Sequence, residues 1–313
     1  MALEAIKRDI SAKQLQDYVI VLGDSVFYGS PGKSEDAFTA VIDKELTNEH
    51  PRQIYNLSLP ASQIGDIYAM LLKLDQYGIS TNHLIFNVRY ASFVPRLSYE
   101  SALFWWLDDL RSVDPIAYQR SLPSEETARP NNLYVKFKGE LEQVILPYYR
   151  LYAYRDYLNE ALNHAWARGT GGVIPSDELG PSIPWYEKDT SDALEQLEIK
   201  RAFSDAPFDL SERNVDIYFL NKIINHQKMK DTLIVMTGTN HSLMKSFIDM
   251  PGYQENAKRI NEYLSALPVQ FLNLEGKVPD NLFTDHTHLL PEGYRELGHF
   301  VWEAFTNKER IQS

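Results

Sequence analysis

The sequence predicts an α/β fold: a doubly wound, mostly parallel five-stranded sheet, with helices on both faces and a large helical and loop insertion between strands three and four. Three observations predict it. Short apolar, β-branched runs recur along the chain, as buried strands require. Stretches of helical periodicity alternate with them, and that alternation builds a parallel sheet covered on both faces. Between the third and fourth runs lie about 140 residues, far more than the dozen or so a crossover between parallel strands needs.

The elements follow in order. Leu3 to Gln16 is polar and weakly periodic, a lead-in helix within a lead-in segment 1–17. Tyr18–Leu22 is strand one, closed by Gly23, where the backbone can turn sharply. Val26–Lys33 reads as a loop, and Ser34 as the cap of a helix with Glu35 and Asp36 in its first turn. Phe38, Val41, Ile42 and Leu46 give that helix its core-facing stripe. Gln53–Leu57 is strand two, followed by the loop Ser58–Ser62 and a helix over Gln63–Leu74. His83–Asn87 is strand three, running on into Val88, Arg89 and Tyr90. Thr232–Thr237 is strand four, ending at Gly238–Thr239–Asn240, and Val269–Leu274 is strand five. Helices are expected at Ser211–His226, Tyr253–Leu264 and Pro291–Phe305.

The insertion spans 92–231 and is read as part of one catalytic domain covering 1–313. It carries Trp105, Trp106, Tyr118, Tyr134, Tyr148, Tyr149, Tyr152, Tyr154, Tyr157, Trp166, Trp185 and Tyr186. Gly139–Trp166 has helical periodicity, and Ser121–Asn132 and Gly169–Pro184 read as loops. Each ring is first a packing residue, since aromatic side chains bury large areas. At least one ring is expected to line a substrate groove beside the sheet edge, walled partly by this segment.

Composition sets limits. With 313 residues and 44% hydrophobic content, the chain can build a sizeable core. A net charge of −12 argues against nucleic acid and against anionic membrane surfaces as partners. There is no cysteine, which excludes disulfides, thiol catalysis and cysteine–zinc sites. No apolar run approaches the ~20 residues of a membrane span. Met1–Asp17 is polar and does not read as a signal peptide. Met1–Ala2 followed so soon by charged residues looks like an expression start.

The chemistry is concentrated at the two ends. Asp24 and Ser25 stand where strand one ends, at the sheet edge where open α/β folds bind ligands. A serine there is a nucleophile only if a base takes its proton. Near the other end, Asp285 and His288 stand three apart, just before a helix opened by Pro291. A bent loop can aim His288 at Ser25 with Asp285 behind it, which fills the three roles of serine acyl chemistry. His286 is the rival base, two residues earlier. The histidines give no metal constellation, and Gly29–Ser30–Pro31–Gly32 is too short to cradle phosphates; no cofactor is expected.

Val21–Leu22–Gly23–Asp24–Ser25 together with Asp285, His288 and the pair Gly293–Tyr294 resembles the SGNH (GDSL) hydrolase superfamily. In overall layout the chain is most similar to the extracytoplasmic O-acetyltransferases of that superfamily, which acetylate cell-wall polysaccharides. The resemblance implies an acetyl–Ser25 intermediate, a polysaccharide acceptor and a donor delivered by a membrane-bound acyltransferase partner. It also implies a place on the outer face of the bacterial cell membrane, held there through an anchor segment absent from this sequence. A carbohydrate esterase with the same triad, or an inactive sugar-binding protein, are the other readings. The family's oxyanion residues are not matched. Ala61 stands where a glycine is expected, Arg89 stands roughly where an asparagine belongs, and Gly238-x-Asn240 falls at the end of the wrong strand. The candidates for the oxyanion are therefore the Ser25 N–H, Ala61, Arg89 and Asn240.

Overall fold

The computed structural model describes residues 2–46, 52–124, 182–190 and 194–312. The chain separates into two compact units, Met1–Leu122 with Ser182–Ser313, and Pro123–Pro181. The expected helix over Gly139–Trp166 and the rings Tyr134, Tyr148, Tyr149, Tyr152, Tyr154, Tyr157 and Trp166 lie outside the described residues.

Five strands form one parallel sheet: β1 Tyr18–Leu22, β2 Gln53–Asn56, β3 His83–Val88, β4 Asp231–Met236 and β5 Gln270–Asn273. Their spatial order is β2-β1-β3-β4-β5. The winding therefore reverses between β1 and β3. Beyond the carboxyl ends of those two strands lies the crevice in which doubly wound sheets bind ligands. Ser25 follows β1 and Arg89 follows β3, so the topology delivers both to that crevice.

The strands alternate between two cores. Ile20, Leu22, Leu84, Phe86, Ile234 and Met236 face one side, with Ile67, Leu71 and Leu74 of helix Ile64–Tyr77 and Ile217, Leu220 and Ile223 of helix Val215–His226. Ile260 and Leu264 of helix Pro251–Ser265 complete that side. Val19, Val21, Ile85, Leu233 and Val235 face the other side, with Phe27, Phe38 and residues Tyr294, Leu297, Val301 and Trp302 of helix Pro291–Gln312. Every residue of β1 is buried, as a strand covered on both faces must be. Burying each such Val, Leu or Ile side chain contributes roughly 1.5–3 kcal/mol.

Two local expectations are corrected. The loop expected over Val26–Lys33 begins instead as a short helix, Ser25–Tyr28. The Asp24 carboxylate caps it by accepting from the Val26 N–H, and Gly29, at φ +98°, ends it. The next helix starts at Phe38, not after Ser34, because Lys33–Asp36 closes a turn through the Asp36 N–H to the Lys33 carbonyl. That turn brings the Phe38 ring to 4.5 Å from Phe27. The helix then widens into a π turn, Ile42–Leu46.

Of the 92–231 stretch, the described parts include helices Leu107–Val113, Pro115–Ser121 and Leu197–Ala202. The first packs on helix Ile64–Tyr77 and the second on Val215–His226.

Candidate active site

The site is built around Asp24. Its backbone N–H donates to Asn87 Oδ1 at 3.1 Å, and Asn87 Nδ2 donates back to Asp24 Oδ1 at 2.9 Å. The exchange ties the end of β1 to the end of β3 and explains Gly23. A Cβ there would lie 2.2 Å from Asn87 Oδ1 and 2.7 Å from Phe27 Cβ. The glycine is required by close approach to its neighbours. On its other oxygen, Asp24 Oδ2 lies 2.6 Å from Arg89 Nε. The residue before Ser25 is thus held from three directions.

Ser25 opens the short helix and is 9% exposed. Its Oγ lies 2.8 Å from His288 Nε2, and His288 Nδ1 lies 2.8 Å from Asp285 Oδ2. Asp285 Oδ1 accepts the Thr287 and His288 backbone N–H groups at 2.8 and 2.7 Å. One carboxylate therefore shapes the loop and orients the imidazole on it. Burial pushes Asp285 up, but the His288 hydrogen bonds and the neighbouring histidine charges outweigh it and hold the carboxyl well below its usual range. Asp285 stays ionised across the working pH range. It fixes the His288 tautomer with Nδ1–H towards itself and leaves Nε2 to accept from Ser25.

The surrounding loop is clamped. Asn240 donates its backbone N–H to the His286 carbonyl at 3.1 Å and its Nδ2 to the Asp285 carbonyl at 3.2 Å, and its Oδ1 accepts from Leu243. Its side chain is thus committed to holding the Asp285–His286 backbone, which takes it away from the oxyanion role considered for it. On the other side, Lys188 Nζ donates to Thr284 Oγ1 at 2.6 Å, and the Thr284 hydroxyl donates to the Ile183 carbonyl. Gly293 lets the last helix start against the loop: a Cβ there would lie 2.7 Å from the Leu282 carbonyl oxygen.

The structure brings His288 to Ser25, and not His286. The His286 ring packs edge-on against Phe203 and His288. Burial pushes it down to about 4; the Asp285 charge opposes this, while the charges of His288 and Arg89 add to it. At neutral pH it is an uncharged ring beside the triad.

Two oxyanion candidates present free donors. The Ser25 and Ala61 backbone N–H groups have no acceptor among the described residues. Ala61 sits at φ +61°, a left-handed conformation that favours glycine, so an alanine here keeps the turn a glycine would make. Arg89 reaches the site through Asp24, as the ion pair records. It lines a cavity of about 240 Å³ with Ser62, Gln63, Ser92, Arg96 and Arg201. Polar side chains dominate this lining.

Sequence reasoning missed two residues. Asn87 read as an ordinary strand end; its partner is 63 residues away, and only the Gly23 contact reveals the demand. Asp66, 1% exposed, accepts the backbone N–H groups of Gln63, Phe104, Trp105 and Trp106. It thereby fixes an aromatic loop whose Trp105 Nε1 donates to the Pro60 carbonyl at 2.8 Å, next to Ala61. The Phe104 and Trp105 rings are exposed there. Among the described residues no cluster of three or more His, Asp or Glu is arranged to hold a metal ion, and no helix is long and apolar enough to cross a membrane.

No family model and no curated protein sequence matches the chain. Solved structures do. A protein titled as a putative lipolytic protein of the G-D-S-L family from Desulfitobacterium hafniense DCB-2 is 11% identical, with 92% of this chain and 99% of that one covered and a TM-score of 0.39. A member of the lipolytic G-D-S-L family from Veillonella parvula DSM 2008 is 9% identical, with 92% and 98% covered and a TM-score of 0.42. The lipase Lip_vut3 from a goat rumen metagenome is 10% identical, with 92% and 97% covered and a TM-score of 0.40. Identities and scores this low leave the chemistry to be argued from this chain's own residues.

Proposed function

We propose that this protein is a serine acyl enzyme that moves an acetyl group to a hydroxyl of a cell-surface polysaccharide through an acetyl–Ser25 ester. The observation that carries the reading is the Ser25–His288–Asp285 chain of 2.8 Å contacts, flanked through Arg89 by a polar cavity. A fatty acyl chain needs an apolar slot, whereas a short acyl group and a hydroxylated acceptor suit polar walls.

The steps follow from the geometry. His288 Nε2 takes the Ser25 proton as Oγ attacks the acetyl carbonyl of the donor. The negative charge that develops on the carbonyl oxygen is met by the free N–H groups of Ser25 and Ala61. The tetrahedral intermediate collapses, His288 returns the proton to the leaving group, and the acetyl ester remains on Ser25. His288 then deprotonates the sugar hydroxyl, which attacks the ester. Collapse releases the acetylated sugar and restores the Ser25 hydroxyl. Asp285 stays ionised throughout and stabilises the imidazolium.

With water in place of the sugar hydroxyl, the same residues give a carbohydrate esterase, and a polar cavity admits water as readily as a sugar. The assembled triad weighs against an inactive sugar-binding protein. The sequence resemblance supports an extracytoplasmic location at the outer face of the bacterial cell membrane and a donor handed over by a membrane-bound acyltransferase. The test incubates the protein with a small acetyl ester, with and without wall-polysaccharide fragments, and analyses the products by mass spectrometry. Acetylated sugar appearing with the acceptor supports transfer. Acetate release that no acceptor diverts makes the protein an esterase.

A further inference from the structure

The cavity beside Asp24 shows what its arginines are built to hold. Three of them line it, Arg89, Arg96 and Arg201. Arg96 grips the Asp216 carboxylate with two parallel contacts, Nε to Oδ2 at 2.8 Å and Nη2 to Oδ1 at 2.6 Å. Arg201 grips the Glu100 carboxylate in the same two-point manner, through Nη1 and Nη2, and that grip holds Glu100 below the usual carboxylate range. Arg89 differs. Its Nε lies 2.6 Å from Asp24 Oδ2 in an ion pair that lacks hydrogen-bond geometry, and its two terminal nitrogens make no hydrogen bond among the described residues. The planar guanidinium presents those nitrogens as a fork that matches a carboxylate or a phosphate.

A diffuse field does not explain the cavity. Its three arginines are balanced by Glu100, Glu198 and Asp216, which also line it. Selection must therefore come from direct contact at one place, the Arg89 fork. Ser62, the residue after Ala61, also lines the cavity, and Gln63 is held there by Arg96 Nη2 at 3.1 Å on its Oε1. About 240 Å³ equals roughly eight water volumes of ~30 Å³ each. That room suits one sugar ring with a charged substituent.

The geometry points to an anion-recognising subsite: the saccharide that meets Ser25 carries a carboxylate or phosphate, seated on Arg89 Nη1 and Nη2. This rests on the proposed reading of the Ser25 site as one that handles a saccharide. The ion pair of Nε with Asp24 Oδ2 at 2.6 Å places the fork beside the residue that precedes Ser25. The fork therefore sets which hydroxyl of the sugar faces the acyl–serine. Orientation of this kind is worth large factors in rate.

The experiment uses the full chain carrying Ser25→Ala, so binding is read without chemistry. Arginine side chains are labelled with nitrogen-15, and D-glucuronate, D-glucose 6-phosphate and neutral D-glucose are titrated in turn. At least one anion is expected to bind tenfold or more tightly than glucose and to shift the Arg89 side-chain signals. The stronger of the two identifies carboxylate or phosphate as the natural group. Adding Arg89→Lys keeps a charge beside Asp24 but removes the fork, and is expected to abolish the preference, with circular dichroism reporting an unchanged fold. If that variant does not fold, Ser62→Phe fills the cavity without touching the Asp24 pair and is expected to do the same. Glucose binding as tightly as both anions, or an anion preference that survives Arg89→Lys or Ser62→Phe, overturns the subsite. Failure of acetyl transfer would leave this result standing, and failure here would leave transfer standing.

Discussion

Asn87 and Asp24 exchange two hydrogen bonds, and between them they set the position of Ser25. The pair joins β1 to β3, the central strand, at the point where the winding of the sheet reverses. Removing Asn87 leaves a buried N–H and a carboxylate oxygen each short of a partner. An Asn87→Ala protein should therefore lose about 1–3 kcal/mol of stability, the usual penalty for a stranded buried polar group. Acetyl-ester turnover should fall as well, because Ser25 follows Asp24 directly. Urea unfolding and steady-state kinetics check both. Unchanged values for both would mean that Arg89 and the Val26 N–H hold Asp24 unaided.

The triad makes a sharper prediction at Asp285 than at Ser25. Ser25→Ala deletes one hydroxyl and should reduce turnover on the order of 10⁴-fold or more with the fold retained. Asp285→Asn is more revealing. The native carboxylate accepts on both oxygens: Oδ1 from two loop N–H groups, Oδ2 from His288. An amide has one accepting oxygen. With that oxygen on the loop, the amide NH₂ faces Nδ1 and moves the imidazole proton to Nε2, which can then no longer accept from Ser25. The loop stays closed and the rate falls by about 10⁴. An Asp285→Asn enzyme within tenfold of wild type would rule out Asp285 as the orienting residue.

His286 should make the fold acid-sensitive. Its folded pKa, pushed down to about 4, lies below the ordinary histidine value of 6.5. Above pH 6.5 both folded and unfolded states hold a neutral ring, and the group contributes nothing. As pH falls from 6.5 towards 4 the unfolded chain takes up a proton that the folded chain refuses, so stability falls. Over that window the loss approaches ~3 kcal/mol. Asp285 adds its own loss only below the ordinary carboxylate range, because its folded pKa is depressed from 3.8. The measurement is the urea midpoint of wild type and His286→Gln at pH 7.0 and 4.5. The variant should lose distinctly less stability between the two. Equal losses would show that His286 protonates freely in the folded state.

The sheet and the triad were legible in the sequence for different reasons. Strand β1 falls where expected, Tyr18–Leu22, because burial on both faces leaves an uninterrupted apolar run. The other four strands start or end within one residue of expectation. The triad was legible because three residue types at two ends of the chain have one joint use. Residues whose partners are remote and backbone-bound were not legible. Asp66 reads as an acid in a first helical turn, yet it also holds Phe104, Trp105 and Trp106 some 40 residues away. Ser34 misled because a cluster of Ser, Glu and Asp suits a tight turn as well as a helix cap. Asn240 misled in the opposite sense: a Gly-x-Asn pattern near the site proved to be a clamp on the triad loop.

Ala61 offers the test of the oxyanion arrangement. Its φ of +61° places a Cβ in the left-handed region, which costs an ordinary L-residue roughly 1–2 kcal/mol. Ala61→Gly relieves that strain but adds freedom to the unfolded chain, worth about 0.4–1 kcal/mol in the other direction. The two partly cancel, so stability should rise by no more than about 1.6 kcal/mol. The N–H is retained, and with it the proposed donor to the oxyanion. Turnover of a small acetyl ester should therefore stay close to the wild-type value. Replacing the Ala61 amide by an ester through semisynthesis removes only the N–H and keeps the side chain. Loss of one oxyanion donor lowers turnover by about 10²–10³. If the ester-linked protein turns over as fast as wild type while Ser25→Ala is dead, Ala61 is a turn residue alone and the Ser25 N–H needs a different second donor.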